Sequence, residues 1–113
     1  MLRCYMDHMM VTAPSLMAGV EAVHRALGVQ PQPGGEHPRM GTHNYFLKLG
    51  VSFCLEIIAI NPAGPPAGRA RWFALDPPDA DRPVRLATWI LRTDDIHAAA
   101  AASPVSLGDV ARG

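Results

Sequence analysis

His8 and Glu56 are the residues whose types and placement point most directly to chemistry. Glu56 lies in the strand-like run Val51 to Ile60, where successive side chains alternate between two faces. Val51, Phe53, Leu55, Ile57 and Ala59 form a wholly apolar face predicted to pack on a helix, while Ser52, Cys54, Glu56, Ile58 and Ile60 form the opposite, concave one. A carboxylate among apolar neighbours is costly to ionise without a partner. The run Leu2 to Thr12 offers one, because strict alternation puts His8 on a face with Leu2, Cys4, Met6, Met10 and Thr12. If these two strands are neighbours, imidazole and carboxylate converge either as an ion pair or as two ligands for a divalent metal. Glu56 is the candidate catalytic residue. Met6, Met10, Cys54 and Ile58 are expected to line the cavity beside it.

A second polar group occupies Gly35-Glu36-His37-Pro38 and Gly41-Thr42-His43-Asn44. His37, His43 and Asn44 either supply polar groups to a pocket, as substrate-binding residues, or only shape turns. His24 and His97 fall within helical segments and are expected on the surface. No Ser-His-Asp order, no phosphate-binding glycine loop before a helix and no nucleic-acid aromatic motif is present.

The elements that must position these residues follow from patterning. Leu2 to Thr12 reads as a strand, and Pro14-Ser15 starts a helix in which Leu16, Val20, Val23 and Leu27 recur at helical spacing until Gly28. Val29 to Pro33 is a short extended piece, and Gly34-Gly35 marks a turn or a backbone distortion. Thr42 to Leu49 and Val51 to Ile60, separated by Gly50, form an antiparallel hairpin. Proline, glycine and alanine dominate 61–81, a stiff connector in which Arg71-Trp72-Phe73-Ala74-Leu75 is able to pack on the body. Val84 to Arg92 is then a strand, and Asp94-Asp95-Ile96 opens a helix that runs through Ala102.

The chain has 113 residues, 49% of them hydrophobic, enough for one core and too few for two. Ten basic residues balance ten acidic ones, so no long-range field gathers nucleic acid or anionic membrane. Cys4 and Cys54 show no metal-knuckle or disulfide spacing and are expected to be buried free thiols. No stretch approaches a membrane span or a signal peptide, and a cytoplasmic protein is expected. A shift of about eighty positions superimposes the opening strand and helix on the last strand and helix, a weak internal repeat.

Asp7-His8-Met9-Met10-Val11, then Gly34-Gly35-Glu36-His37-Pro38-Arg39-Met40-Gly41-Thr42-His43-Asn44, then Leu55-Glu56-Ile57-Ile58-Ala59-Ile60 form an ordered pattern. It resembles the glyoxalase-like domain family of the vicinal oxygen chelate superfamily, which includes glyoxalases, bleomycin-resistance proteins and extradiol dioxygenases. The resemblance implies an α+β fold of βαβββ modules, with a curved mixed sheet around a cavity and a flanking helix. A single domain over 1–113 would hold a complete first module at 1–60, a connector at 61–83 and the strand-helix start of a second at 84–113. His8 and Glu56 match metal-ligand positions, and the implied cofactor is Zn, Mn, Ni or Fe. Thr88 falls where the repeat would place a counterpart of His8.

Two function classes follow. One is a metal-dependent lyase, isomerase or dioxygenase acting on a small oxygenated substrate. The other is a metal-free module that binds or sequesters a small molecule, or an inactive fragment that keeps the fold. The half-module leaves a sheet edge unpaired, so a homodimer is expected, bringing two copies of His8 and Glu56 into one cup.

Overall fold

The computed structural model describes residues 2–64, 68, 71, 75–76 and 79–111. Among the described residues seven elements follow one another as β1 (Cys4–Thr12), α1 (Leu16–Leu27), β2 (Gln32–His37), β3 (Thr42–Lys48), β4 (Cys54–Ile60), β5 (Arg85–Thr93) and α2 (Ile96–Ala102). One mixed sheet holds all five strands in the order β2-β3-β4-β1-β5. β1 runs parallel to β4, and every other pairing is antiparallel. The fold is α+β, a βαβββ unit followed by one further strand and helix. Among the described residues no helix is long and apolar enough to cross a membrane.

Local chemistry accounts for the helix ends. Ser15 caps α1 by accepting from the Ala18 backbone N–H, and Gly28 ends it at φ 72°, a left-handed conformation that costs glycine little. Asp95 caps α2 in the same way through Ala98. Between α1 and the sheet lies the main core. Val20 and Val23 of α1 bury against Val11, Leu47, Leu55 and Ile57, which confirms the helix-facing side of β4. A smaller cluster on the opposite side joins Met10 and Ile58 to Leu75. The connector thus packs on the body through Leu75, whereas Trp72, Phe73 and Ala74 lie outside the described residues.

Several boundaries differ from the patterning. β4 begins at Cys54, because Leu49 to Phe53 forms the turn: the Leu49 and Gly50 backbone N–H groups both bond to the Phe53 carbonyl at 2.9 and 3.0 Å. Val51 is 98% exposed at its tip and does not face the helix. Gly34 and Gly35 lie inside β2, where the register with β3 shifts between Pro33 and Glu36. They are a distortion within a strand, and the reversal comes at His37 to Gly41. Cys4 is exposed and Cys54 only partly buried, because each stands near an open end of its strand.

The largest difference is on β1. Met6 pairs with Leu91 but His8 pairs with the next residue, Ile90, so Asp7 is an extra residue bulged out of the β1–β5 ladder. The bulge breaks strict alternation. Cys4 and Met6 therefore lie on the helix side, and Asp7 joins His8 on the concave side. Cys4 and Leu91 indeed share a groove with Ile96 and Ala99 of α2.

Leu75, 1% exposed, is the point at which the connector closes one end of the concave face. Leu75→Ala should destabilise the fold by about 2–4 kcal/mol, read as a lower urea midpoint with an unchanged slope. An unchanged midpoint would show that the connector does not hold the sheet.

Candidate functional site

The parallel register of β1 and β4 sets His8 opposite Cys54 and Met10 opposite Glu56, so His8 and Glu56 are diagonal neighbours on one face. His8 Nε2 lies 3.1 Å from Glu56 Oε1. Each is held from behind. His8 Nδ1 lies 2.7 Å from Asp7 Oδ2, a contact that exists because the bulge turns both side chains the same way. Asn44 on β3 donates from Nδ2 to Glu56 Oε2 at 2.9 Å.

Asn44 is itself oriented. Its Oδ1 accepts from the Gly35 backbone N–H at 2.7 Å, which leaves Nδ2 to face Glu56 and, at 3.2 Å, His37 Nε2. With Nε2 of His37 accepting, its Nδ1 carries the proton and donates to Thr42 Oγ1 at 2.9 Å. Gly34 is required at the β2 distortion, since a Cβ there would overlap Asn44 Oδ1 and stand 2.8 Å from the Phe46 ring. A row of polar groups thus crosses the concave face from Asp7 through His8, Glu56 and Asn44 to His37 and Thr42. Side-chain exposure falls from 37% at Asp7 through 17% at His8 to 9% at Glu56, so the row descends from solvent into the protein.

Cys54 belongs to the site. Burial pushes its thiol pKa up, and the negative charges of Asp7 and Glu56 push it further in the same direction, so it stands as a neutral thiol at pH 7. His43 and Met10 stand outside the polar row. His43 is one residue from Asn44 on a strand and points to the other face, where with Tyr45, Leu16 and Arg82 it lines a separate hollow of about 830 Å³. Met10 is 3% exposed and is consumed by packing on Ile58 and Leu75. Alternation missed Asp7, and its signal was simply adjacency to His8 in a strand whose bulge no pattern announces.

His8 Nε2 and Glu56 Oε1 are spaced as two donors to one cation would be. Two donors about 2.1 Å from one cation and about 90–110° apart stand about 3.0–3.4 Å from each other, and the 3.1 Å separation fits. With its Nδ1–H donating to Asp7, His8 presents the lone pair of Nε2, the usual arrangement behind a ligating histidine. Among the described residues no group of three or more His, Cys, Asp or Glu side chains is arranged around one ion. The chain fits two coordination positions.

The family model described as glyoxalase-like domain matches residues 6–112, from the strand that carries His8 to the end of the chain's last segment. The chain belongs to the glyoxalase-like domain family. No curated protein and no solved structure matches it. In this glyoxalase-like domain β5 lies antiparallel beside β1 and sets Ile90 across from His8 and Thr88 across from Met10. The strand nearest His8 therefore offers hydrocarbon and a hydroxyl in place of a second imidazole.

His43 gives the helix side of the sheet a pH dependence. Burial lowers its pKa, Glu36 opposes this and His37 adds to it. A native pKa below the unfolded value means stability present above about pH 6.5 and lost as pH falls through the native pKa. His43→Gln should flatten the urea midpoint against pH below about 6.5 relative to the parent; parallel profiles would show that His43 is solvated. Asn44→Ala strands Glu56 Oε2 without its donor and should cost about 1–3 kcal/mol, checked by the same unfolding measurement.

Proposed function

We propose that this glyoxalase-like domain is a metal-assisted lyase, isomerase or dioxygenase unit acting on a small oxygenated molecule, with His8 and Glu56 as the metal ligands. The observation that carries this reading is the double support of the donor pair. Asp7 occupies Nδ1 of His8 and Asn44 occupies Oε2 of Glu56, so the two atoms left facing each other are Nε2 and Oε1, at 3.1 Å. Ligands gain orientation from such support. A divalent ion there supplies Lewis-acid polarisation of vicinal oxygens.

The protein's own residues do the rest. Asp7 holds the imidazole plane and selects its tautomer. Asn44, locked by Gly35, keeps the Glu56 carboxylate from rotating and satisfies the oxygen that the ion would not use. Met10, Ile58 and Leu75 keep water from the closed end of the cup.

A homodimer is part of the proposal. β5 ends the strand order, and Leu86, Trp89 and Leu91 along it are 60%, 62% and 54% exposed. An apolar edge strand is a surface for pairing. In a dimer built through β5, that strand stands between the two β1 strands, so each cup keeps its own His8 and Glu56.

A second reading is favoured by the donor count. Two ligands, already in contact with each other at 3.1 Å, suit a metal-free module that binds a small molecule over the polar row.

Metal titration separates the two. The parent should take up about one equivalent of Zn²⁺ or Co²⁺ per chain, with His8→Ala and Glu56→Ala abolishing uptake and Asp7→Asn weakening it about 10–100-fold. Calorimetry and the visible spectrum of the Co²⁺ form report it. No uptake by the parent rejects the metal reading and leaves the binding module.

A further inference from the structure

The concave face is closed at one end, and two exposed cations, Arg92 and Lys48, stand at the other. Met10, Ile58 and Leu75 fill the closed end. At the open end Arg92 pairs across the strands with Tyr5, 47% exposed at its side chain. Its guanidinium carbon stands 5.7 Å from the centre of the Tyr5 ring, which supports the planar group from below. Lys48 is exposed in the same row as Cys54 and His8, on the same face.

Arg92 reaches the site through a single carboxylate. Its Nη1 is 3.6 Å from Asp7 Oδ1, while the other oxygen of Asp7 holds His8 at 2.7 Å. That contact is too long for a hydrogen bond, and a half-exposed pair of this kind contributes little to stability. A guanidinium carries five donors in a fork that matches a carboxylate edge to edge. Little holds Arg92 against an incoming anion, and the group it already faces is a carboxylate. The net charge of the chain is zero, so the attraction is a property of this end of the cup alone.

We propose that Arg92 is the recognition residue of the site and that the substrate is a small organic carboxylate. Its charged end pairs with the guanidinium while its remaining oxygens lie over His8 and Glu56. The proposal names the substrate class for the reading above and rests on the same site. Lys48 steers anions toward the open end and does not grip them.

Phenylglyoxylate and phenylglyoxylamide share a ring and two vicinal oxygens and differ in charge, so their dissociation constants isolate the contribution of an anion. Calorimetric titration of the full chain in EDTA should show the anion bound about tenfold or more tighter than the amide. Arg92→Ala should erase that preference without weakening the amide, and Arg92→Lys should restore only part of it, since the charge returns without the fork. Lys48→Gln removes the same charge from the same end and should leave the preference within about twofold. Equal affinities in the parent, no binding of either probe, or loss of the preference in Lys48→Gln as complete as in Arg92→Ala each overturns the assignment. Repeating the titration with Zn²⁺ separates the two claims. Zn²⁺ uptake without a charge preference rejects Arg92 and keeps the metal reading; a preference in EDTA without Zn²⁺ uptake does the reverse.

Discussion

The carboxylate of Glu56 is buried in the middle of a five-stranded sheet, and the strands around it are arranged to satisfy it. Complete burial of Ile57 or Ile58 beside it is worth about 2–3 kcal/mol each. Removing one partner of a buried charge costs about 3–5 kcal/mol, so one unpartnered Glu56 would offset both. The fold supplies His8 from one side and Asn44 from the other. Those contacts require β1, β4 and β3 to be adjacent in that order, which is the observed topology.

Irregularities in the flanking strands orient these partners. On β1 the bulge at Asp7 places two consecutive side chains on one face, and so gives His8 a carboxylate behind its ring. On β2 the shift around Gly34 and Gly35 brings a backbone N–H to Asn44, and the missing Cβ at Gly34 makes room for that approach. Both distortions break pairing to position a polar group that a regular strand would leave to rotate. They are local costs that the central carboxylate recovers.

The same face divides its labour by position. Hydrocarbon from three separate segments, β1, β4 and the connector, closes one end, the polar row crosses the middle, and exposed cations stand at the other end. A ligand can approach only where the face is open. The opposite side of the sheet is spent on α1, whose buried valines bind it to β3 and β4.

Patterning carried much of this. The helix ends at Ser15 and Gly28 and the convergence of His8 with Glu56 were legible because capping chemistry and a period of two are local rules, whereas whether His37 and Asn44 served a pocket or a turn stayed open. The family was legible too, in the ordered stretches around His8, Gly34 to Asn44 and Glu56. Two kinds of information were not. Alternation assumes an unbroken strand, so the bulge that moves Asp7 in and Cys4 and Met6 out was invisible, and a motif that includes both His43 and Asn44 does not say that only one faces the site. Which residue a connector tucks in, and therefore that Met10 is packed away beneath Leu75, depends on contacts between segments far apart in order. The sequence by itself determined the element types and the two side chains that meet; tertiary structure decided what stands behind each of them, because those partners arrive through register and packing, which no local pattern encodes.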